Sequence, residues 1–408
     1  MPRDGESIAY LRKHAVKLRS IDPLDTDWSD LEPFAAALQG VRVISLGEIS
    51  HGDGSTFLAK TRLVKWLHQT QGFDILAFES GFYDCHVAWT STGAKPALDS
   101  FREGVFGVWS RSAETVELAR YLTAQARSTR PLELVGVDCQ LTGLASETRL
   151  VSDLEAVRDQ LGLSVSADDW AVYVAALERL ARHEWYEQKP TLEEWQRVDL
   201  VHLALRAGLE HTSLADHAFW QQCLKSLHEE MTNQWLEDET QPEWVFGNRR
   251  DAQMAQNLLW QLEQRPTRRC IVWAATFHLA RGLERLKSDA DRQPFACVRT
   301  MGDHLHAALG DAYYALGVSG DHGEMARYRD AKPFKLVSTQ PGDLEHWFSE
   351  AGFGTALMDW RNLPLAHPLR GSFVAKQLGA RRLTGSWSEI QDGVLFTRHV
   401  RRSHRAAL

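Results

Sequence analysis

Five apolar runs punctuate the chain: Val41–Leu46, Ile75–Phe78, Leu132–Val137, Cys270–Ala274 and Ala312–Val318. Turn-forming residues bound them, and several are rich in β-branched side chains, so each predicts a buried strand. Ala356–Asp359 and Val394–Thr397 predict two shorter ones. The runs are continuous rather than alternating, as expected where helices cover both faces of a parallel sheet. Helical periodicity fills the gaps. Ser55–Gln69 sets Phe57, Leu58, Leu63, Trp66 and Leu67 on one face, and Thr115–Arg127 repeats the pattern after the second strand. The alternation predicts an α/β fold with a mainly parallel central sheet flanked by helices.

The pattern changes over residues 147–265, where no strand-like run occurs. Glu147–Leu161, Asp168–Arg182, Thr191–His211 and Asp216–Asp238 read as amphipathic helices, with Thr191 and Asp216 as N-caps. The expected organisation is therefore residues 1–146 as the first part of the α/β core, 147–265 as a helical insertion, and 266–408 as the second part. No Pro/Gly-rich linker separates the insertion. It is expected to pack as a cap over the C-terminal ends of the strands.

Composition narrows the function. The 408 residues carry 46 Lys+Arg against 54 Asp+Glu, a net charge of −8. A mildly acidic surface argues against nucleic acid or an anionic membrane as partner. The short basic run Arg398–Arg405 does not reverse that balance and is expected to be a frayed end. No stretch approaches the ~18 apolar residues of a membrane span. The opening residues lack a signal-peptide core. Five cysteines are scattered with no C-x-x-C pair, so neither a disulfide framework nor a zinc ribbon is expected, and the cytoplasm is the expected location. Most of the fifteen tryptophans should be core, with some lining an apolar pocket.

Ligands of α/β sheets bind at the carboxyl ends of the strands. Here the first strand runs into Gly47-Glu48-Ile49-Ser50-His51-Gly52, the second into Glu79-Ser80-Gly81, the third into Asp138 and the fourth into Thr276-Phe277-His278. If those strands are adjacent, two Glu, one Asp and two His converge on one face. A His beside a carboxylate is a general-base unit, the carboxylate orienting the ring and stabilising its cation. Gly47 and Gly52 would allow a sharp turn or positive φ around Glu48 and His51. Against this stand bland readings: Glu79 and Asp138 as helix caps, His278 as a buried hydrogen-bonded histidine. No G-x-S-x-G elbow, P-loop or G-x-G-x-x-G is present, leaving water as the attacking group, activated by His51 or by a metal bound among Glu48, His51, Glu79, Asp138 and His278.

These segments resemble the erythromycin esterase family. Gly47-Glu48-Ile49-Ser50-His51-Gly52 is similar to its G-E-x-x-H-G signature, and Ala77-Phe78-Glu79-Ser80-Gly81-Phe82 to its next strand. Leu134-Val135-Gly136-Val137-Asp138 resembles its G-x-D segment. Arg250-Asp251 with Met254-Ala255 resembles R-D-x-x-M-A, and Trp273-Ala274-Ala275-Thr276-Phe277-His278 falls on W-A-H-N-x-H. Met301-Gly302 and Gly310–Gly317 follow in order. The resemblance implies an α/β core with a helical part and ester hydrolysis without metal or other cofactor. It implies His51 as the base that activates water against a macrolactone carbonyl, Glu48 and Glu79 as its orienting carboxylates, and His278 as the group assisting at the developing charge. Lys60 stands at the family's basic helix position, and Lys60, Asp138 and Arg250 are the implied substrate-binding residues.

The sequence departs from the family at Ala275, Thr276 and Ser55, which replace the motif's first His, its Asn and an acidic residue. The expected activity is thus hydrolysis of a changed substrate: an ester, lactone or amide of a secondary metabolite, small or peptide-derived, in the setting of antibiotic resistance or secondary metabolism. The competing readings are a metal-dependent hydrolase using the same side chains and an accessory protein whose catalysis has lapsed with Ala275.

Overall fold

The strands, in chain order, are β1 (Val16–Lys17), β2 (Val43–Leu46), β3 (Phe73–Gly81), β4 (Glu133–Asp138), β5 (Arg269–Trp273), β6 (Lys287–Ser288), β7 (Tyr313–Ala326), β8 (Pro333–Lys335), β9 (Thr355–Asp359), β10 (Phe373–Leu378), β11 (Arg381–Gly385) and β12 (Gly393–Val400). They come from a computed structural model that describes residues 4–184, 189–210, 212–236, 242–288, 293–327 and 330–406. All seven expected strands are present, and the fold is α/β with a large, mostly parallel central sheet flanked by helices.

The chain divides into two compact units. One holds Met1–Ala77, Gly107–Glu133 and Arg265–Leu408; the other holds Phe78–Phe106 and Leu134–Gln264.

In the first unit the strand order is β1-β9-β12-β7-β2-β5, with the opening residues of β3 next to β5. β2 lies parallel between β5 and β7, so that Leu46 faces Trp273 on one side and Leu316 on the other. β12 is parallel to β7, whereas β9 and β1 join antiparallel at the edge. β7 runs eight residues beyond the apolar stretch that predicts it, to Ala326. Its polar second half is held by β12, up to the Val400–Gly323 pair, and by β8. Periodicity does not see such pairing. It also misses the β10–β11 hairpin, a small sheet with β6.

The helix Gly54–Gln71 crosses between β2 and β3. Asp53 caps its start by accepting from Thr56 N at 3.0 Å, and Gly72 ends it at φ 75°. The sequence shows one apolar face, yet the helix is buried on nearly every side, and Leu58 of that face is only partly covered. Its cations are partnered accordingly. Arg62 bonds Asp30 and the carbonyls of Ser20 and Asp27, and Lys65 bonds the Pro23 carbonyl and Glu117. His68 bonds Tyr121 and the Arg130 carbonyl.

The expectation of a frayed end after Arg398 is overturned. Residues 401–406 form bridges with Asp53 and Ser112, and Ser403 N donates to Gly52 O at 2.9 Å. Backbone and side-chain groups of two neighbouring loops accept this segment, and its charge pattern gave no sign of that.

The second unit is helical. Its core gathers Leu154, Tyr173, Leu177, Val201, Leu205, Leu224 and Met231 from the long helices, together with Phe82, Tyr83 and Val87 from Phe82–Ser91. That contribution explains why Phe78–Phe106 belongs to this unit. Within the unit the closing residues of β3 lie beside β4, and Gly136 is required there: a Cβ would sit 2.2 Å from Gly81 O. Thr191 caps its helix as expected, reciprocally with Glu194. Glu147–Leu161 is not one helix; the chain breaks at Arg149 (φ −135°) into Leu144–Thr148 and Leu150–Gln160. A further long helix, Glu243–Glu263, completes the unit.

Candidate active site

β2 ends at Leu46 and the chain turns through Gly47–Gly52 before the helix begins. Neither glycine has positive φ. The reason for glycine is close approach. A Cβ on Gly47 would lie 2.3 Å from Thr276 Oγ1, and one on Gly52 would lie 1.8 Å from Ala326 O. The backbone of this turn is satisfied by four different segments. Glu48 O accepts from Thr276 N, Ile49 O from Gly379 N, and Gly52 O from both Ala326 N and Ser403 N.

Glu48 is the hub. Its side chain is fully buried, and three donors converge on the carboxylate. His51 Nδ1 is 2.6 Å from Oε1, Lys60 Nζ is 3.0 Å from Oε2, and Trp109 Nε1 donates to both oxygens at 3.3 and 3.2 Å. Lys60 also lies 3.4 Å from Ala274 O and over the Trp273 ring at 4.2 Å. A buried carboxylate is tolerable here because a full positive charge and two N–H groups replace its water. With Nδ1–H donated to Glu48, Nε2 becomes the basic nitrogen of the ring, the arrangement that orients a catalytic histidine. The Trp109 indole meets the His51 ring edge-on at 5.2 Å, and the His51 side chain keeps 24% of its exposure.

Asp53, one turn on, is pushed up to about 6, chiefly by burial, with Glu48 adding to the rise and Thr56 opposing it. His278 belongs to the same unit, in the short helix Thr276–Leu279 that follows β5. It is mostly buried, its N–H donates to Ala275 O, and its ring meets Phe277 edge-on at 5.2 Å.

The remaining expected residues form a cluster within the second unit. Arg250 makes a two-pronged contact to Asp138, Nε to Oδ1 at 3.0 Å and Nη2 to Oδ2 at 2.5 Å, and Nη2 also reaches Glu79 Oε1 at 3.1 Å. Burial alone would lower the guanidinium's affinity for its proton, but Asp138, Glu79 and Asp251 hold it well above its ordinary value. Nearby Glu230 is pushed up to about 7, first by burial and then by the charge of Asp138.

Burial also raises the thiols of Cys85, Cys139, Cys223 and Cys270, which are not thiolates at neutral pH. Among the described residues no group of three or more His, Cys, Asp and Glu side chains is arranged to hold a metal. Sequence reasoning missed Trp109, because nothing in its neighbourhood marks it.

The model of the family described as Erythromycin esterase matches residues 68–399. Among curated proteins the chain is 24% identical over 368 residues to YbfO of Bacillus subtilis (strain 168), named "Putative hydrolase", covering 86% of this chain and 80% of that protein. It is 21% identical over 374 residues to erythromycin esterase type II of Escherichia coli, covering 83% and 85%. Among solved structures, a Bacillus cereus protein superposes with TM-score 0.81 at 18% identity over 100% of both chains. A mutant of erythromycin esterase EreC in its open conformation superposes with TM-score 0.69 at 15% identity, over 95% of this chain and 97% of that one.

Proposed function

The chain belongs to the erythromycin esterase family, and on that premise we propose that it is a hydrolase in which His51 activates water against an ester, lactone or amide carbonyl of a small natural product. The observation that carries this reading is the His51–Glu48 pair at 2.6 Å, with the carboxylate buried and held from two other sides by Lys60 and Trp109. Glu48 fixes the ring so that Nε2 can take a proton from water, and it stabilises the imidazolium that results. Water is the nucleophile because the sequence carries no nucleophile elbow and the four buried cysteines are held as thiols.

Lys60 acts through Glu48 rather than on substrate, since its ammonium is buried against the carboxylate. Arg250, bound by Asp138 and Glu79, forms an ion cluster within the second unit. His278 assists at the carbonyl oxygen, and Ala275 removes the imidazole that the family motif places beside it. The site would then fit a substrate of altered shape rather than the macrolactone of the family's name.

The test is turnover of a panel of esters and lactones, erythromycin among them, by the wild type and His51→Asn. A general base is worth about 10²–10⁴-fold, so His51→Asn should lose turnover by that factor, with folding and substrate binding retained. Near wild-type turnover by the variant would overturn the mechanism. Loss of wild-type activity on chelation, restored by one divalent ion, would favour the metal-dependent alternative instead.

A further inference from the structure

The segment after β12 touches both loops that converge on Glu48. On one side, Arg401 N donates to Ser55 Oγ at 2.8 Å, Ser55 N donates to Arg401 O at 3.2 Å, and Ser403 N donates to Gly52 O at 2.9 Å. Arg402 forms an antiparallel backbone bridge with Asp53, and the fit is close enough that a Cβ on Gly54 would lie 2.8 Å from Arg402 O.

On the other side the same residues hold the Trp109 loop. Ser403 Oγ is 3.1 Å from Ser112 Oγ, and Ala113 N donates to His404 O at 2.8 Å. His404 N and Nδ1 take the two oxygens of Glu114 at 3.1 and 2.9 Å, and Ala406 N donates to Arg111 O at 2.9 Å. Thr115 Oγ1 donates to Trp109 O, tying this anchor directly to the residue whose indole bonds Glu48.

We propose that residues 401–406 are a positioning strap for the Glu48–His51 pair. By docking between the Gly52–Ser55 and Arg111–Glu114 segments, the strap fixes His51 and Trp109 against one carboxylate. Backbone bonds do most of this, so the role belongs to the segment rather than to one side chain. Ser403 is its centre, with its N–H on one loop and its hydroxyl on the other. His404 and Glu114 are the side-chain anchor. The inference rests on the reading of His51 as base, but its signature is the geometry of His51 and can be measured without a substrate.

The experiment uses the full chain with Ser403→Pro, which removes the N–H to Gly52 and the hydroxyl to Ser112. A second variant, His404→Ala, leaves the strap backbone unchanged. His404→Asn, whose amide can replace Nδ1 as donor, is the conservative rescue. The first readout is the rate of His51 carbethoxylation by diethyl pyrocarbonate, followed by peptide mapping. It should rise severalfold in Ser403→Pro, less in His404→Ala, and return toward wild type in His404→Asn.

The second readout is hydrolysis of p-nitrophenyl acetate, where kcat should fall by up to about 10²-fold with KM nearly constant, as for a misplaced catalytic group. Should Ser403→Pro not fold, the His404 pair decides on the same readouts. Unchanged His51 labelling in the folded variants overturns the strap, whatever the esterase result. Wild-type failure on every ester, with labelling altered as expected, removes the general-base reading and keeps the strap.

Discussion

At the scale of single residues, Glu48 decides the chemistry of its surroundings, because a buried carboxylate must be matched group by group. Lys60 supplies the charge, Trp109 and His51 the hydrogen bonds. Lys60→Met would leave that carboxylate buried without a counter-ion. Breaking one partner out of a buried pair costs about 3–5 kcal/mol, and urea unfolding should show a loss of that order. The kinetics separate two roles. A lysine that binds substrate would show its loss in KM; one that acts through Glu48 should show it in kcat, with KM little changed. Glu48 and His51 were legible as a pair three residues apart after a strand. Lys60 was legible as a basic position but not in its role, since burial of its ammonium follows from where the helix lies.

At the scale of elements, the turn after β2 has almost no freedom. Thr276, Gly379, Ala326 and Ser403 each donate to one of its carbonyls, and Gly52 lies against the end of β7. Gly52→Ala places a methyl 1.8 Å from Ala326 O, which no rotamer can relieve because the clash is with backbone. The strand or the turn must shift, at a cost of ~3 kcal/mol. Thermal unfolding should report the loss, and turnover should fall with it because His51 precedes the shifted residue. The sequence marks both glycines as special but suggests a sharp turn or positive φ as the cause. Distinguishing turn geometry from close approach requires knowing what lies opposite, and for Gly52 that is a residue 274 positions away.

At the scale of the molecule, stability also depends on titratable groups buried in the helical unit. His202 is fully buried in the helical unit, 3.1 Å from the Tyr173 hydroxyl and with its ring centre 5.1 Å from that of His228. Burial, then the neighbouring His228 and Arg206, lower it to about 3. An unfolded histidine titrates near 6.5, so between those values the unfolded chain binds the extra proton. The neutral ring is therefore no burden above pH 6.5, and stability is lost as pH falls from there toward 3. At pH 5 the expected loss is about 2 kcal/mol. Urea unfolding of wild type and His202→Gln at pH 7 and pH 5 checks it: the difference between the proteins should change with pH by that amount. An unchanged difference would mean that His202 is solvated.

The sequence by itself determined seven strands of the central sheet, the helical character of the described residues between 147 and 265, and the Glu48–His51 pair. These are local properties. Continuous apolar runs must be buried, and a strand ending in a carboxylate and a histidine shows its chemistry in adjacent residues. Tertiary structure alone decided the partners of Glu48 beyond His51, the full length of β7, the β10–β11 hairpin and the docking of residues 401–406. The far half of β7 and the docking of residues 401–406 are pairings between segments distant in sequence; the hairpin is local but carries no continuous apolar run, and Lys60 and Trp109 meet Glu48 through side chains that only the fold brings together. The tail shows the difference most directly. Its side chains are basic and its composition that of a loose end, while its N–H and C=O groups meet partners on two loops some 290 and 350 residues earlier. Hydrogen bonds between backbone groups leave no trace in the order of side chains, so only the folded chain could show where that segment goes.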